Sequence, residues 1–438
     1  MFVAADEHWQ AQHVQRQLAR RRSAIAEAWN LDDELVLVGA GSPVVIPGRR
    51  DRTYRFHAHL EYLYLTDRER PGGVLAYDPK DGWVEFVPPV TRRELLWEGA
   101  AAADAPAGTT PVERLAGWLA ERKARPVASL GAEVADAPQH DHALSEQLRR
   151  ELNRLRRAKD ELELDRMRRA ERATAAGFAK LVALIEPGRS ERQLQIELEA
   201  EFFRNGADDV AFDTIVASGP NAAVLHFPPT HRPLQAGELV LVDAGAEYRA
   251  YDSDVTRTYP VTGVFTAEQR ALHGVVLRAL AAATERCLPG VEFRDVHRTA
   301  QLVIAEGLRD FGLLRGRPES LVESEAVSVF FPHGVGHLVG LGIRDASEIL
   351  PGRARDEFPP LRLDLPLLQG YVTTIEPGIY VVPALLHDEE LRRTHRKTVA
   401  WEKADAMIGF GGIRLENNIL ITAEGHEVLT ADVPLSRT

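Results

Sequence analysis

The chain has 438 residues, of which 45% are hydrophobic and 27% charged, and a formal net charge of −12. That length allows two domains and a sizeable core, while the acidic balance argues against non-specific nucleic-acid binding, which needs a basic footprint. The single cysteine, Cys287, excludes an intramolecular disulfide and a cysteine-based zinc site.

The first residues, MFVAADEHWQ, lack the basic end and apolar run of a secretory signal. No segment reaches the roughly 18 apolar residues of a membrane span. A cytoplasmic protein without a membrane partner is expected. A helix is predicted to about Trp29, with the Arg20-Arg21-Arg22 run on a solvated face. ELVLVGAG then reads as a strand, and GGVLAYDPKDGWVEFVPP as a hairpin turning at Asp78–Gly82. Gly39 and Gly41 do not form a nucleotide loop, because Pro43 and Pro47 follow where a helix should start. TPVERLAGWLAERKA reads as a helix and PVASLGAE as a strand.

Residues 145–186 form a charge-rich helical run, and the domain boundary is placed within it: 1–154 and 155–438. Pro187-Gly188 ends the run. Ser190 with Gln193 three residues on is a capping-box pattern opening a helix that stops at Asn205-Gly206. A Pro-Gly followed by an amphipathic helix returns about a hundred residues later, in CLPGVEFRDVHRTAQLVIAEGLRDFG, where Cys287 is expected in a helix core. This suggests two similar halves with a ligand cleft at their junction.

Within those halves, acidic residues occupy strand positions where apolar ones are expected. Asp243 ends the apolar strand ELVLVDAG. Asp252 and Asp254 share a face of YDSDVTRTYP with Thr256 and Thr258, by strand alternation. Glu376 ends YVTTIE before Pro377-Gly378, and Arg414 and Glu416 share a face of GIRLENNILIT. Buried carboxylates need partners. Four negative charges call for two divalent cations, bridged by the carboxylates.

The stretch FPHGVGHLVGLGIRDAS supplies an imidazole. It is not a metal-binding helix of the H-E-x-x-H type, since Gly334 stands in the glutamate's place and Pro332, Gly334 and Gly336 oppose a helix. An irregular loop whose backbone approaches something closely is expected, with His337 as the lone nitrogen ligand and the glycines letting it reach the metals.

The order of LVDAG, SDVTRT, HGVGH, TIEPG and GIRLEN resembles the pita-bread metallopeptidases over about residues 155–438. TYRFHAHLEYLYLTD and ELLWEGA resemble the smaller domain of the proline-specific members, and not the methionine aminopeptidases, which lack it. The resemblance implies an α+β fold: a pseudo-two-fold, curved antiparallel sheet covered by helices, preceded by a smaller α/β domain. It implies Asp243, Asp254, His337, Glu376 and Glu416 as ligands of two metal ions, commonly manganese, with cobalt and zinc tolerated by the same ligand set. It gives His226 and His333 to the substrate side, Glu376 to proton transfer and Arg414 to a place behind the ligands.

The activity implied is hydrolysis of the bond before proline. Arg362, fourteen residues before Glu376, resembles the arginine with which prolidases bind a dipeptide's carboxylate, and the long segment between Glu376 and Glu416 is also prolidase-like. Arg344 stands where close relatives have histidine and is expected to share that carboxylate with Arg362. An Xaa-Pro dipeptidase is therefore the first expectation. An Xaa-Pro aminopeptidase acting on longer proline-containing peptides is the alternative, and a catalytically inactive binding module a third. Trp97 reads as a core residue or, by the resemblance, as one near a partner's cleft; a homodimer is implied by resemblance only.

Overall fold

The computed structural model describes residues 2–49, 52–97, 99, 108–135, 137, 139–353 and 360–437. The chain forms two compact units, Met1–Arg156 and Arg157–Thr438.

The first unit is built on a mixed five-stranded sheet in the order Thr110–Pro111, Gly82–Val87, Val74–Asp78, Leu35–Gly39, Val127–Gly131. Leu35–Gly39 is buried along its whole length because it lies between an antiparallel neighbour and the parallel Val127–Gly131 strand. The predicted hairpin forms with Asp78 opposite Gly82, which has φ +85°. The Asp78 carboxylate accepts from Lys80 N and from both Arg122 and Arg125, and these bonds, Arg125's first, hold it well below the usual carboxylate range.

Three local expectations fail in this unit for identifiable reasons. The run TPVERLAGWLAERKA is helical only over Leu115–Ala120, because Thr110–Pro111 joins the sheet edge and Val112–Arg114 forms a tight turn. Arg21 and Arg22 are not on a solvated face: they donate to the Tyr64 and Leu65 carbonyls, and the Arg21 guanidinium lies 4.4 Å from the Tyr64 ring centroid. Leu96 and Trp97, on the short Arg92–Trp97 helix, are about three-quarters exposed, so Trp97 is no core residue. Glu98 and Ala100 of ELLWEGA lie outside the described residues.

The second unit repeats one arrangement. Helices Glu161–Leu184 and Glu191–Arg204 pack on a three-stranded antiparallel sheet of Val255–Pro260, Leu239–Ala244 and Ile215–Ser218. Helices Ala267–Glu285 and Phe293–Phe311 pack on a second such sheet of Val372–Ile375, Asn417–Ile421 and His426–Val428. Glu161, Glu191 and Ala267 open their helices behind capping boxes, Asp160 with Glu163, Ser190 with Gln193, and Thr266 with Gln269. The Phe293 helix has no side-chain cap, so the repeat is one of layout and not of capping chemistry. In the first half, a Cβ on Gly177 would come 2.3 Å from the Phe202 ring; glycine there is what lets the two helices approach.

The helical run expected over 145–186 is two helices, His142–Arg156 and Glu161–Leu184, with a non-helical break at residues 157–160. Cys287 lies two residues beyond the helix ending at Glu285, buried, with Sγ donating to the Ala283 carbonyl. Among the described residues, no helix is long and apolar enough to cross a membrane.

Glu191 ties the first sheet to the segment that follows it. Fully buried, it accepts from Ser218 N and Oγ, Asn221 Nδ2, and Thr230 N and Oγ1 at 2.6–3.1 Å. It therefore clamps both ends of residues 218–230, the segment that carries His226. Glu191→Ala leaves those donors unpaired and should cost about 3–5 kcal/mol. Thermal unfolding should show the midpoint falling by roughly 6–20 °C, whereas Glu186→Ala, which breaks the exposed pair with Arg189, should leave it nearly unchanged.

Candidate metal centre

Strand register brings the acidic side chains together. Asp243 sits in the Leu239–Ala244 strand directly opposite Thr256 on one side and Ile215 on the other. Asp254 lies at the break between the Tyr251–Asp252 and Val255–Pro260 strands, and a reciprocal amide pair fixes it: Asp254 N donates to Asn418 Oδ1, and Asn418 Nδ2 donates back to the Asp254 carbonyl. Glu416 lies at a second break, between Gly412–Arg414 and Asn417–Ile421, where its N donates to the Thr256 carbonyl and its Oε2 accepts from Thr256 Oγ1 at 2.6 Å. Asp243, Asp254 and Glu416 each offer an oxygen within 4.8 Å of the others.

His337 and Glu376 border this group. His337 Nε2 is 3.5 Å from Asp254 Oδ2 and 3.9 Å from Glu376 Oε1. Its Nδ1 meets the Leu338 carbonyl at 3.0 Å, which places the proton on Nδ1 and leaves the Nε2 lone pair facing the carboxylates. The backbone of this loop lies along a strand: Thr374 N donates to the His337 carbonyl and Glu376 N to the Val335 carbonyl. A Cβ on Gly336 would come 2.0 Å from the Thr374 carbonyl oxygen. What the loop approaches so closely is thus the strand carrying Glu376, and the glycine serves that contact.

A chain of hydrogen bonds runs behind the cluster. Arg414 donates through Nη2 to Asp243 Oδ2 at 2.5 Å, through Nε to Thr256 Oγ1, and through Nη1 to the Tyr380 hydroxyl. Tyr380 in turn meets His333 Nε2 at 2.9 Å, while His333 Nδ1 meets the Gly334 carbonyl. The consistent assignment is a neutral His333 with its proton on Nδ1, and burial together with Arg414 pushes its pKa down to about 3. Both ring nitrogens are therefore engaged, and Nδ1, 3.7 Å from Glu376 Oε2, is the edge nearest the cluster. Tyr380 and Asn418 were not legible as site residues: each reads as an ordinary strand position.

Asp252 does not join the group. The strand expected to carry it with Asp254, Thr256 and Thr258 is interrupted, and burial, Glu247 and Asp345 govern its carboxyl instead. The shared strand expected for Arg414 and Glu416 is likewise broken at Leu415, although both side chains still reach the cluster.

The electrostatics fit cations. Asp254 and Glu416 are held well above the usual carboxylate range, by burial first and then by the neighbouring carboxylates. Glu376 is pushed up to about 7 by burial, against the pull of Arg414 and Arg362. Four carboxylates face the buried Arg414 guanidinium, and Asp243 Oδ1 is buried with no hydrogen-bond partner among the described residues, the Arg414 pair occupying only its other oxygen. Four hard oxygen donors and one imidazole nitrogen suit divalent ions.

The cluster opens into a cavity of about 860 Å³, lined also by His226, Phe227, Ile343, Arg344 and Arg362. His226 is on an exposed turn at the wall. Burial first, then Arg414 and Arg362, lowers its pKa. Every residue singled out from the sequence as a ligand or substrate contact lines this one cavity.

Comparison with known proteins adds the family. The model for metallopeptidase family M24 matches residues 165–423. The chain is similar to a probable Xaa-Pro aminopeptidase of Aspergillus niger, 32% identical over 89% of this chain and 84% of that one. A probable Xaa-Pro aminopeptidase of Emericella nidulans is 31% identical over 93% and 88%. Among solved structures, the aminopeptidase PepP of Pseudomonas aeruginosa aligns over 96% of both chains with a TM-score of 0.78 and 27% identity. The E. coli aminopeptidase P with the inhibitor Pro-Leu aligns over the same shares with a TM-score of 0.78 and 25% identity. With the family model spanning more than half of the sequence, the chain belongs to metallopeptidase family M24 and is a pita-bread metallopeptidase.

Proposed function

We propose that this metallopeptidase is an Xaa-Pro aminopeptidase, releasing the first residue of peptides whose second residue is proline. The observation that carries this reading is the similarity, over about nine-tenths of the chain, to relatives bearing that name. The cavity supports it: about 860 Å³ lies at the upper end of the range for small-molecule sites, which leaves room beyond a dipeptide. This reverses the order of preference drawn from the sequence. The dipeptidase becomes the second reading, favoured by one observation: Arg344 and Arg362 both line the cavity, where they could bind a terminal carboxylate.

We assign Asp243, Asp254, His337, Glu376 and Glu416 to two divalent ions, manganese first. When bound, such ions supply Lewis acidity toward a carbonyl and lower the pKa of a water. The chain's own groups do the rest. Glu376 accepts the proton of the attacking water and returns it to the proline nitrogen, which carries no hydrogen in the peptide and must gain one to leave as an amine. Arg414 orients the Asp243 carboxylate by donating to its Oδ2 and, through Tyr380, keeps the His333 ring fixed. His226 and His333 line the substrate cavity: the exposed His226 offers a donor to a peptide carbonyl, while His333, with both ring nitrogens engaged, shapes the wall. A homodimer in the cytoplasm completes the proposal on the family resemblance and composition alone.

Mass-spectrometric product analysis with added manganese tests the reading. Ala-Pro-Ala should yield alanine and Pro-Ala at roughly tenfold or more the rate of Ala-Pro cleavage, a difference of about 1.4 kcal/mol in the barrier. Cleavage of Ala-Pro alone would overturn it in favour of the dipeptidase. The carboxylate role is tested separately by Arg362→Ala. Loss of a charge-assisted bond of about 1.5–3 kcal/mol should lower kcat/KM on Ala-Pro by roughly 10- to 100-fold, with a much smaller loss on Ala-Pro-Ala; equal losses on both would remove that role.

A further inference from the structure

Arg344 lies on an irregular loop, residues 338–348, with no regular element to fix it. The residue beside it is the anchor. Asp345 has a fully buried side chain and forms an ion pair at 3.0 Å with Lys159, whose side chain is also fully buried. Asp345 Oδ2 accepts in addition from Leu341 N at 3.1 Å, closing the loop on itself. Lys159 belongs to the non-helical break at residues 157–160, where its Nζ donates to the Arg157 carbonyl and its N to the Gly370 carbonyl. The same break grips the loop twice more: Arg157 Nε donates to the Ala346 carbonyl at 3.0 Å, and its Nη2 pairs with Glu348. Ala346 is held at φ +52°, a conformation a non-glycine residue rarely adopts. Gly340 leaves room for the pair, since a Cβ there would come 2.4 Å from Lys159 Cε and 2.8 Å from Asp345 Oδ2.

Such a pair is an expensive way to hold a loop if stability were its only use, because apolar packing of the same volume does as well. Its position suggests another purpose. Consecutive Cα atoms lie about 3.8 Å apart, so pinning Asp345 fixes where the Arg344 backbone sits, with the Arg344 side chain directed to the cavity. We propose that the buried Lys159–Asp345 pair is a positioning device that sets the reach of Arg344 toward the carboxylate of a bound peptide. The proposal rests on the second reading above, in which Arg344 and Arg362, lining the cavity, bind a terminal carboxylate.

The test uses the full-length, manganese-loaded chain and two competitors of Ala-Pro-Ala hydrolysis: Ala-Pro, which ends in a carboxylate, and Ala-prolinamide, which does not. Arg344→Ala should weaken inhibition by Ala-Pro about tenfold or more while leaving the amide nearly unchanged, as removing a charge-assisted bond does. Asp345→Asn, which keeps an acceptor for Leu341 N, should reproduce that selective loss. In the double variant the two losses should not add, since both act through one guanidinium. Because Asp345→Asn leaves the buried Lys159 charge without its counter-charge, the variant Lys159→Met with Asp345→Asn is measured beside it. It removes both charges and should regain thermal stability without regaining the affinity for Ala-Pro. If Arg344→Ala leaves both competitors unchanged, the assignment of Arg344 fails and the proposal with it. If Arg344→Ala is selective but the Asp345 variants weaken acid and amide alike, or if affinity returns with stability, the pair is structural only and the proposal is overturned.

Discussion

Mutual repulsion among four buried carboxylates is the constraint that organises the catalytic unit. Asp243, Asp254, Glu376 and Glu416 are each at most 9% exposed, and one buried guanidinium offsets only part of their charge. Nothing in the hydrophobic effect favours such a group. It persists because stiff elements impose it: the register of Val255–Pro260 on Leu239–Ala244 sets Asp243 against Thr256, and the two strand breaks turn Asp254 and Glu416 inward. The residual charge has to be met by cations or protons.

The surroundings favour cations over protons by controlling direction. Arg414 takes one oxygen of Asp243 and leaves the other without a partner among the described residues. His337 donates its Nδ1–H to the Leu338 carbonyl and turns the Nε2 lone pair toward Asp254 and Glu376. Tyr380 receives from Arg414 and donates to His333, so a strand and a loop share one hydrogen-bonded chain. Deeper still, His297 Nδ1 accepts from Val335 N at 3.2 Å, which holds the loop between the two histidines. Its full burial keeps that ring neutral, with a pKa pushed down to about 4. Each group is fixed before a substrate arrives, which is how a site gains from electrostatics without reorganising.

Much of this was legible in the sequence, and the failures have a common cause. Capping boxes such as Ser190 with Gln193 act over four residues, so their signal is complete locally. The acidic residues stood out because a charge in an apolar strand contradicts its surroundings. What could not be read were effects of long-range contact on short segments. Strand alternation linked Asp252 to Asp254 and Arg414 to Glu416, yet both strands break where the chain passes the cluster. Charge runs concealed buried cations: Arg157 and Lys159, inside a run read as charge-rich helix, are 5% and 6% exposed. The balance between dipeptide and longer substrates was also out of reach, because an arginine at one spacing does not give the size of the cavity it lines.

The most direct test of this account is anomalous diffraction at the manganese edge from metal-loaded crystals. Two strong peaks should appear among Asp243, Asp254, His337, Glu376 and Glu416, separated by roughly 3.5–4 Å as bridging carboxylates require. A carboxylate group that stays free of anomalous signal at saturating manganese, or whose peaks fall outside these five side chains, would contradict it.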